Sequence, residues 1–303
     1  KTFLDFFKIR KIILQRIKNK KKNLFVSNIN YSNILSILFL RKIKNLKIFL
    51  YERTSLHELN LFFNLTNFIK NMIIKMFIRT IYPRADKVIT NSYTLKRELR
   101  FMFNVNADVI YSGTIEKILK KKKIKKKNYI KLISVGRFSN QKNHEFLIKM
   151  ISKLKNIKYK LYIYGGGKLE NDLTKLINNL GLKNKVFLLP FTNNKSKIYG
   201  DADLMLHTAF FEGLPNCFLD ASNFNVPIIA YNGEGGISEA LENGKYGELI
   251  SHLDKNKFIK SINKFIKNPN QLRNKIQNSK KTLKKFTLNE VKNNFEKLAL
   301  NEF

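Results

Sequence analysis

The stretch 210–222, FFEGLPNCFLDAS, sets two carboxylates, Glu212 and Asp220, eight positions apart around a Gly-Leu-Pro turn in a chain dominated by lysine. Gly213 permits the turn, and Pro215 suits the first position of a helix, where its missing N–H costs nothing. The backbone N–H groups of Leu214, Asn216 and Cys217 are then expected to face whatever sits at the helix end. Glu212 stays in the loop ahead of the helix, and Asp220 lies on the helix beyond its first turn. Carboxylates so separated are poorly arranged as an acid and a base on one atom. They suit two different parts of one elongated ligand.

Three further stretches follow strand-like runs. In SVGRFSNQKNHEFLI (134–148) a strand ends at Gly136, Arg137 comes next, and Lys142 precedes a helix with Asn143 as its expected N-cap. Two cations and a helix N-terminus at one strand end make an anion site. Ordinary solvated charges are the plain alternative. In LYIYGGGKLENDL (161–173), Gly165, Gly166 and Gly167 let a backbone approach a ligand closely. The full Gly-x-Gly-x-x-Gly spacing is lacking, and a tight turn without ligand fits as well. In YNGEGGISEALENGKYG (231–247), Gly235 and Gly236 lead into Ser238 and Glu239. Glu239 either meets ligand hydroxyls or complements the helix dipole.

The 303 residues suffice for two domains, and a hydrophobic fraction of 44% belongs to a chain with real cores. The single cysteine, Cys217, excludes an internal disulfide framework and fits a reducing compartment. The four histidines are scattered without metal-ligand spacing, so no metal site is expected. A net charge of +36, from 58 Lys and Arg against 22 Asp and Glu, suits polyanions, phosphorylated substrates or an anionic membrane. A/T-rich codons would give the same lysine excess. No apolar run approaches the roughly 20 residues of a membrane span. The longest, NILSILFL at 33–40, reads as a buried helix.

The elements that must position these residues alternate along the chain. Strands are predicted at 23–28, 47–52, 87–92 and 107–113, then at 129–136, 158–165, 184–190, 202–207, 226–231 and 246–251. Most are continuous apolar runs, as in parallel strands covered on both faces. Helical patterns at 143–155, 168–180 and 254–267 complete an α/β, doubly wound pattern. The lysine-rich stretch 115–130 reads as a solvated linker between a domain at 1–120 and one at 121–303, with 254–303 closing the fold. A long amphipathic helix is predicted over 56–82, either packing a stripe on the core or docking on a membrane surface through Lys70, Lys75 and Arg79 among Phe and Ile.

In order and spacing, VGR…QKN, YGGG, ADLMLHTAFFEGLPNCFLDA and VPIIAYNGEGGISEAL resemble the donor half of glycosyltransferase family 4, retaining enzymes of the GT-B fold. The likeness spans 131–250, with a looser one at 85–115. It implies two Rossmann-like domains facing a cleft. It also implies that Glu212 contacts donor-sugar hydroxyls, that Asp220 holds the nucleotide ribose, and that Arg137 and Lys142 bind the diphosphate. Gly136, the glycines at 165–167 and the turn Gly213-Leu214-Pro215-Asn216 would line the nucleotide. Fixed charges would replace a divalent metal, with no cofactor beyond the nucleotide-sugar itself, expected to be a UDP-sugar. The implied partners are that donor and a glycan or polyprenyl-linked acceptor. The implied place is the cytoplasm or the inner face of the plasma membrane, in contact with anionic lipid, and no nucleic acid is expected.

Three features depart from the family pattern. Asp220 stands where a Glu is usual, about 1.5 Å shorter in reach. Glu52 and Arg53, followed by His57, occupy the region where many members carry an acceptor-domain His. No opening strand with a glycine-rich loop is found, so the N-terminal domain reads as incomplete and the chain as a fragment. A sugar-nucleotide epimerase of the same architecture and a non-catalytic nucleotide-binding protein are the rival expectations. A nucleic-acid-binding protein, resting on charge alone, ranks last.

Overall fold

Short apolar runs joined by amphipathic stretches fold here as parallel strands with helical crossovers. The computed structural model describes residues 2–17, 22–61, 64–120 and 128–302. Two compact units result: Lys1–Ser112 with Val291–Phe303, and Gly113–Glu290.

The first unit opens with α1 (Thr2–Arg16), β1 (Asn23–Asn28), α2 (Asn30–Leu40), β2 (Leu46–Glu52) and α3 (Leu65–Ile81). It continues through β3 (Lys87–Thr90), α4 (Tyr93–Phe103) and β4 (Asp108–Val109). The sheet is parallel in the order β1-β2-β3-β4. Alternation along β2 splits its core. Ile48 and Leu50 join Ile34, Leu40, Ile78 and Leu99 on one face, while Phe49 joins Ile89 and Ile110 on the other.

The second unit runs β5 (Ile130–Val135), α5 (His144–Ile151), β6 (Tyr159–Gly165), α6 (Glu170–Asn179), β7 (Val186–Pro190) and α7 (Lys195–Tyr199). Then come β8 (Leu204–His207), β9 (Phe211–Glu212), α8 (Asn216–Asn223), β10 (Ile228–Tyr231), β11 (Glu234–Gly235) and α9 (Ile237–Ala240). It ends with β12 (Glu248–Ile250), α10 (Lys255–Lys267) and α11 (Asn270–Ser279). Six strands form a parallel sheet in the order β12-β10-β8-β5-β6-β7, and β9 pairs with β11 beside it. One face packs Leu132, Leu161, Leu204 and Ile229 under α5, α6 and α10. The other packs Ile133, Met205 and Ile228 against Phe218, Ile237 and Ile276.

The last helix, α12 (Leu288–Leu300), carries the chain back to the first unit. Its Phe295, Leu298 and Ala299 cover Phe49 and Ile89, and Glu302 pairs with Lys87 at 3.0 Å. The expected division at 120/121 is therefore moved. Residues 113–120 belong with the second unit because Thr114 and Ile115 donate backbone N–H groups to the Phe286 carbonyl, and Asn223 bonds Lys117 and Leu119. Residues 121–127 of the expected linker lie outside the described residues.

Two other predictions change. The single helix over 56–82 is instead a 3-10 turn at Leu56–Asn60 followed by α3. Asn64 starts the new helix, its side chain accepting from the Asn67 N–H at 2.8 Å. The strand foreseen at 107–113 shrinks to the two residues of β4 at the sheet edge.

Candidate functional site

The chain leaves β5 toward β6 and β7 but leaves β8 toward β10 and β12, although β5 and β8 are neighbours. Open parallel sheets bind ligands at such a switch point, beyond the carboxyl ends of the strands. The ends of β5, β6, β8 and β10 and the loops that follow them, together with α8 and α9, carry the candidate residues of the second unit.

Backbone bonds draw the loops after β5 and β8 together. Phe210 N–H donates to the Gln141 carbonyl, and Gln141 Nε2 donates to the Phe211 carbonyl, both at 2.9 Å. Thr208 Oγ1 donates to the Asn143 carbonyl at 3.0 Å. Glu212 is fixed from its other side by the parallel pairing of β9 with β11. The result is an ion pair between Lys142 Nζ and Glu212 Oε1, with His207 Nε2 3.3 Å from the same oxygen.

Glu212 is only 8% exposed. Burial works to raise its carboxyl, but Lys142 and His207 together hold it down at about 2. Burial lowers the His207 imidazole in spite of Glu212. It also pushes His144, 3.4 Å from the Gly136 carbonyl, down to about 4. The cluster thus holds one carboxylate and one ammonium, flanked by two imidazoles that favour the neutral form.

The glycines divide by what they face. A Cβ on Gly165 would lie 2.0 Å from the Gly136 carbonyl oxygen, and one on Gly136 would lie 2.9 Å from the Lys142 chain. Gly167, at φ +148°, packs against the Phe138 carbonyl. A Cβ on Gly166 would meet nothing within 4 Å. Of the three glycines at the end of β6 and just after it, Gly166 alone faces open space, and the other two seat the loop.

Helix α8 begins at Asn216, one residue later than foreseen. Pro215 is its N-cap, with ψ 98° holding it out of the helix, and its carbonyl accepts from Phe218 N–H at 2.9 Å. Gly213 backs onto Gly236, Leu214 is buried, and the Asn216 side-chain oxygen is buried without a partner among the described residues. Asp220 pairs with Lys195 at 2.7 Å. Burial raises its carboxyl against the pull of that lysine. Cys217 feels Lys142, Glu212 and Asp220, and burial pushes its thiol up to about 12. Arg137 is exposed at the strand end, apart from the ion pairs. Asn143 does precede α5, but its left-handed backbone (φ 53°) follows a 3-10 turn and its side chain makes no cap bond. Glu239 stands in the first turn of α9.

Sequence reasoning missed His207, Gln141, Thr208 and Lys195. His207 had a usable signal, as the last residue of a strand whose end leads into the site. The others declare themselves only through contacts. Among the described residues no three His, Cys, Asp or Glu side chains gather as a metal site requires.

In the first unit, Glu52 ends β2 and is wholly buried. Tyr82 donates its hydroxyl to Glu52 at 2.8 Å, and Arg53 N–H donates at 3.2 Å. Arg53 is exposed and its guanidinium reaches Ser112 Oγ at 3.3 Å, while His57 lies in the following 3-10 turn.

The profile described as glycosyl transferases group 1 matches residues 115–282, more than half of the chain and nearly all of the second unit. The chain belongs to this family. A Campylobacter jejuni relative of this chain is named N-acetylgalactosamine-N,N'-diacetylbacillosaminyl-diphospho-undecaprenol 4-alpha-N-acetylgalactosaminyltransferase. It is 26% identical over 228 residues, 71% of this chain and 60% of its own length. The chain thus spans 60% of that relative. Anabaena HepE in complex with UDP-glucose superposes with TM-score 0.81 at 17% identity, covering 98% of this chain and 82% of its own. Sucrose-phosphate synthase from Thermosynechococcus elongatus gives 0.85 at 17% identity, covering 99% and 79%. The fold is GT-B, with two Rossmann-like units.

Proposed function

We propose that this group 1 glycosyl transferase moves a sugar, with retention, from a UDP-sugar to a glycan or polyprenyl-linked glycan in bacterial surface polysaccharide synthesis. The reaction is assigned to the cytoplasmic membrane face. The buried Lys142–Glu212 pair at the switch point, beside the start of α8, carries the reading.

A carboxylate held at about 2 keeps its full charge at neutral pH and has lone pairs left over to accept donor-sugar hydroxyls. Lys142, Arg137 and the first N–H groups of α8 are assigned to the diphosphate, whose charge grows as the sugar leaves. Asp220 is assigned to the ribose diol. Gly136 and Gly165–Gly167 form the wall along the nucleotide, with Gly166 at the point of close approach. Acceptor attack on the face the diphosphate leaves keeps the anomeric configuration, and the departing phosphate takes the acceptor's hydroxyl proton. No second carboxylate is assigned as nucleophile. The choice of uridine is supported by the UDP-glucose complex of HepE, and that of acceptor by the diphospho-undecaprenol in the name of the Campylobacter relative.

Calorimetric and thermal-shift titrations with UDP, GDP and ADP in moderate salt test the assignment, comparing the parent with Arg137→Ala and Asp220→Ala. Selective UDP binding is expected, with stabilisation of about 2.7 kcal/mol at a hundredfold the dissociation constant, weakened in both variants. Equal, salt-sensitive binding of all three nucleotides, unchanged by either substitution, overturns it.

A further inference from the structure

Helix α3 buries only Ile74, Ile78 and Ile81. Its opposite side is apolar as well: Leu65, Phe68, Ile69, Met72, Ile73 and Met76 are all between 46% and 67% exposed. Their spacing of three and four residues puts them on one continuous face, turned away from the buried stripe. Single exposed apolar residues need no explanation, but a row three turns long marks a contact surface.

Charge indicates what covers it. Lys75 and Arg79 flank the row and Lys70 and Arg84 lie close by in sequence, while residues 59–85 contain no Asp or Glu. A partner protein of mixed charge would find nothing to match a rim of one sign. An anionic bilayer offers apolar depth under a negative surface, the two properties that this helix presents together. No helix among the described residues is long and apolar enough to cross a membrane, so the contact is one of lying on the surface.

We propose that α3 docks the protein onto an anionic lipid surface, its apolar row entering the headgroup boundary and Lys75 and Arg79, on the same side of the helix, meeting lipid phosphates. This names the contact surface for the membrane-face location proposed above, and stands apart from the donor chemistry.

The test is co-sedimentation of the full 303-residue chain with vesicles of phosphatidylcholine, alone or with one-quarter phosphatidylglycerol, without nucleotide or acceptor. Ile69→Glu/Met72→Glu is compared with Phe191→Glu/Leu253→Glu, which changes charge equally at exposed apolar positions of the second unit. All four positions are exposed, so unchanged melting temperatures are expected and are checked first. Binding to the anionic vesicles is expected to fall at least about tenfold in the α3 variant and to persist in the control. Equal losses in both variants overturn the proposal in favour of net charge. Failure of the parent to bind overturns it too, as does a dimer dissolved by the α3 variant with vesicle binding intact. A negative result leaves the nucleotide titration, and the transferase reading it tests, untouched.

Discussion

Glu52 and Glu212 are both buried carboxylates at the carboxyl ends of parallel strands, yet their surroundings drive them in opposite directions. Glu52 meets the neutral Tyr82 hydroxyl and a backbone N–H, and burial lifts it to about 7. Glu212 meets the Lys142 ammonium and is held at about 2. Depth alone therefore does not set the charge of a buried carboxylate; the partner does. The first unit keeps a carboxyl that is half protonated near neutrality inside a hydrogen-bonded network. The second keeps a permanent charge pair at the place where a charged ligand would arrive.

The strongest way to break the contrast is to remove Lys142. Lys142→Met leaves Glu212 buried without a cation, at an expected loss of about 3–5 kcal/mol in urea unfolding. The Glu212 carboxyl should then move upward, toward the behaviour of Glu52, as followed by carbon NMR of labelled glutamate. Lys142→Met/Glu212→Leu, which removes both charges, should recover much of the stability. A single variant as stable as the parent would mean that the pair is not buried in solution.

The next effect sharpens the other side. Between its ordinary value of 4.5 and about 7, folded Glu52 keeps a proton that the unfolded chain has lost. Its contribution is therefore fully present below 4.5 and is lost as pH rises toward 7. Glu52→Gln should raise stability at pH 8 by up to about 3 kcal/mol and leave it nearly unchanged at pH 4. Glu212 slopes the other way: its contribution is present above 4.5 and lost as pH falls toward 2. A Glu52→Gln effect independent of pH would refute the assignment of a raised carboxyl.

The smallest effect concerns Asp220, whose partner Lys195 is 40% exposed. Lys195→Ala should cost less than about 1 kcal/mol in thermal unfolding, because solvent screens this pair as it does not screen Lys142–Glu212. A loss as large as that of Lys142→Met would put both pairs in one class.

Much of the fold was legible from local pattern. Nine of the ten predicted strands return within a few residues, since an apolar run flanked by glycine or asparagine has few other ways to fold. The two-residue strands β9 and β11 were missed because a strand that short has no period to read. Pro215 fell one residue short of the helix because a proline fixes φ but leaves ψ to its surroundings. The helix over 56–82 was overextended because hydropathy runs unbroken through the cap at Asn64.

The sequence by itself determined which residues lie at strand ends and helix starts, because periodicity and turn chemistry are local properties. It also brought Glu212, Gly213 and Asp220 to one turn and one helix, since they are close along the chain. Only the tertiary structure decided that Lys142 neutralises Glu212 from seventy residues away, that Lys195 takes Asp220, and that α12 closes the first unit. It alone decided, too, that the apolar row of α3 faces outward. These outcomes depend on which strands become neighbours and which helix face is covered, and strand order is settled by packing across the whole sheet.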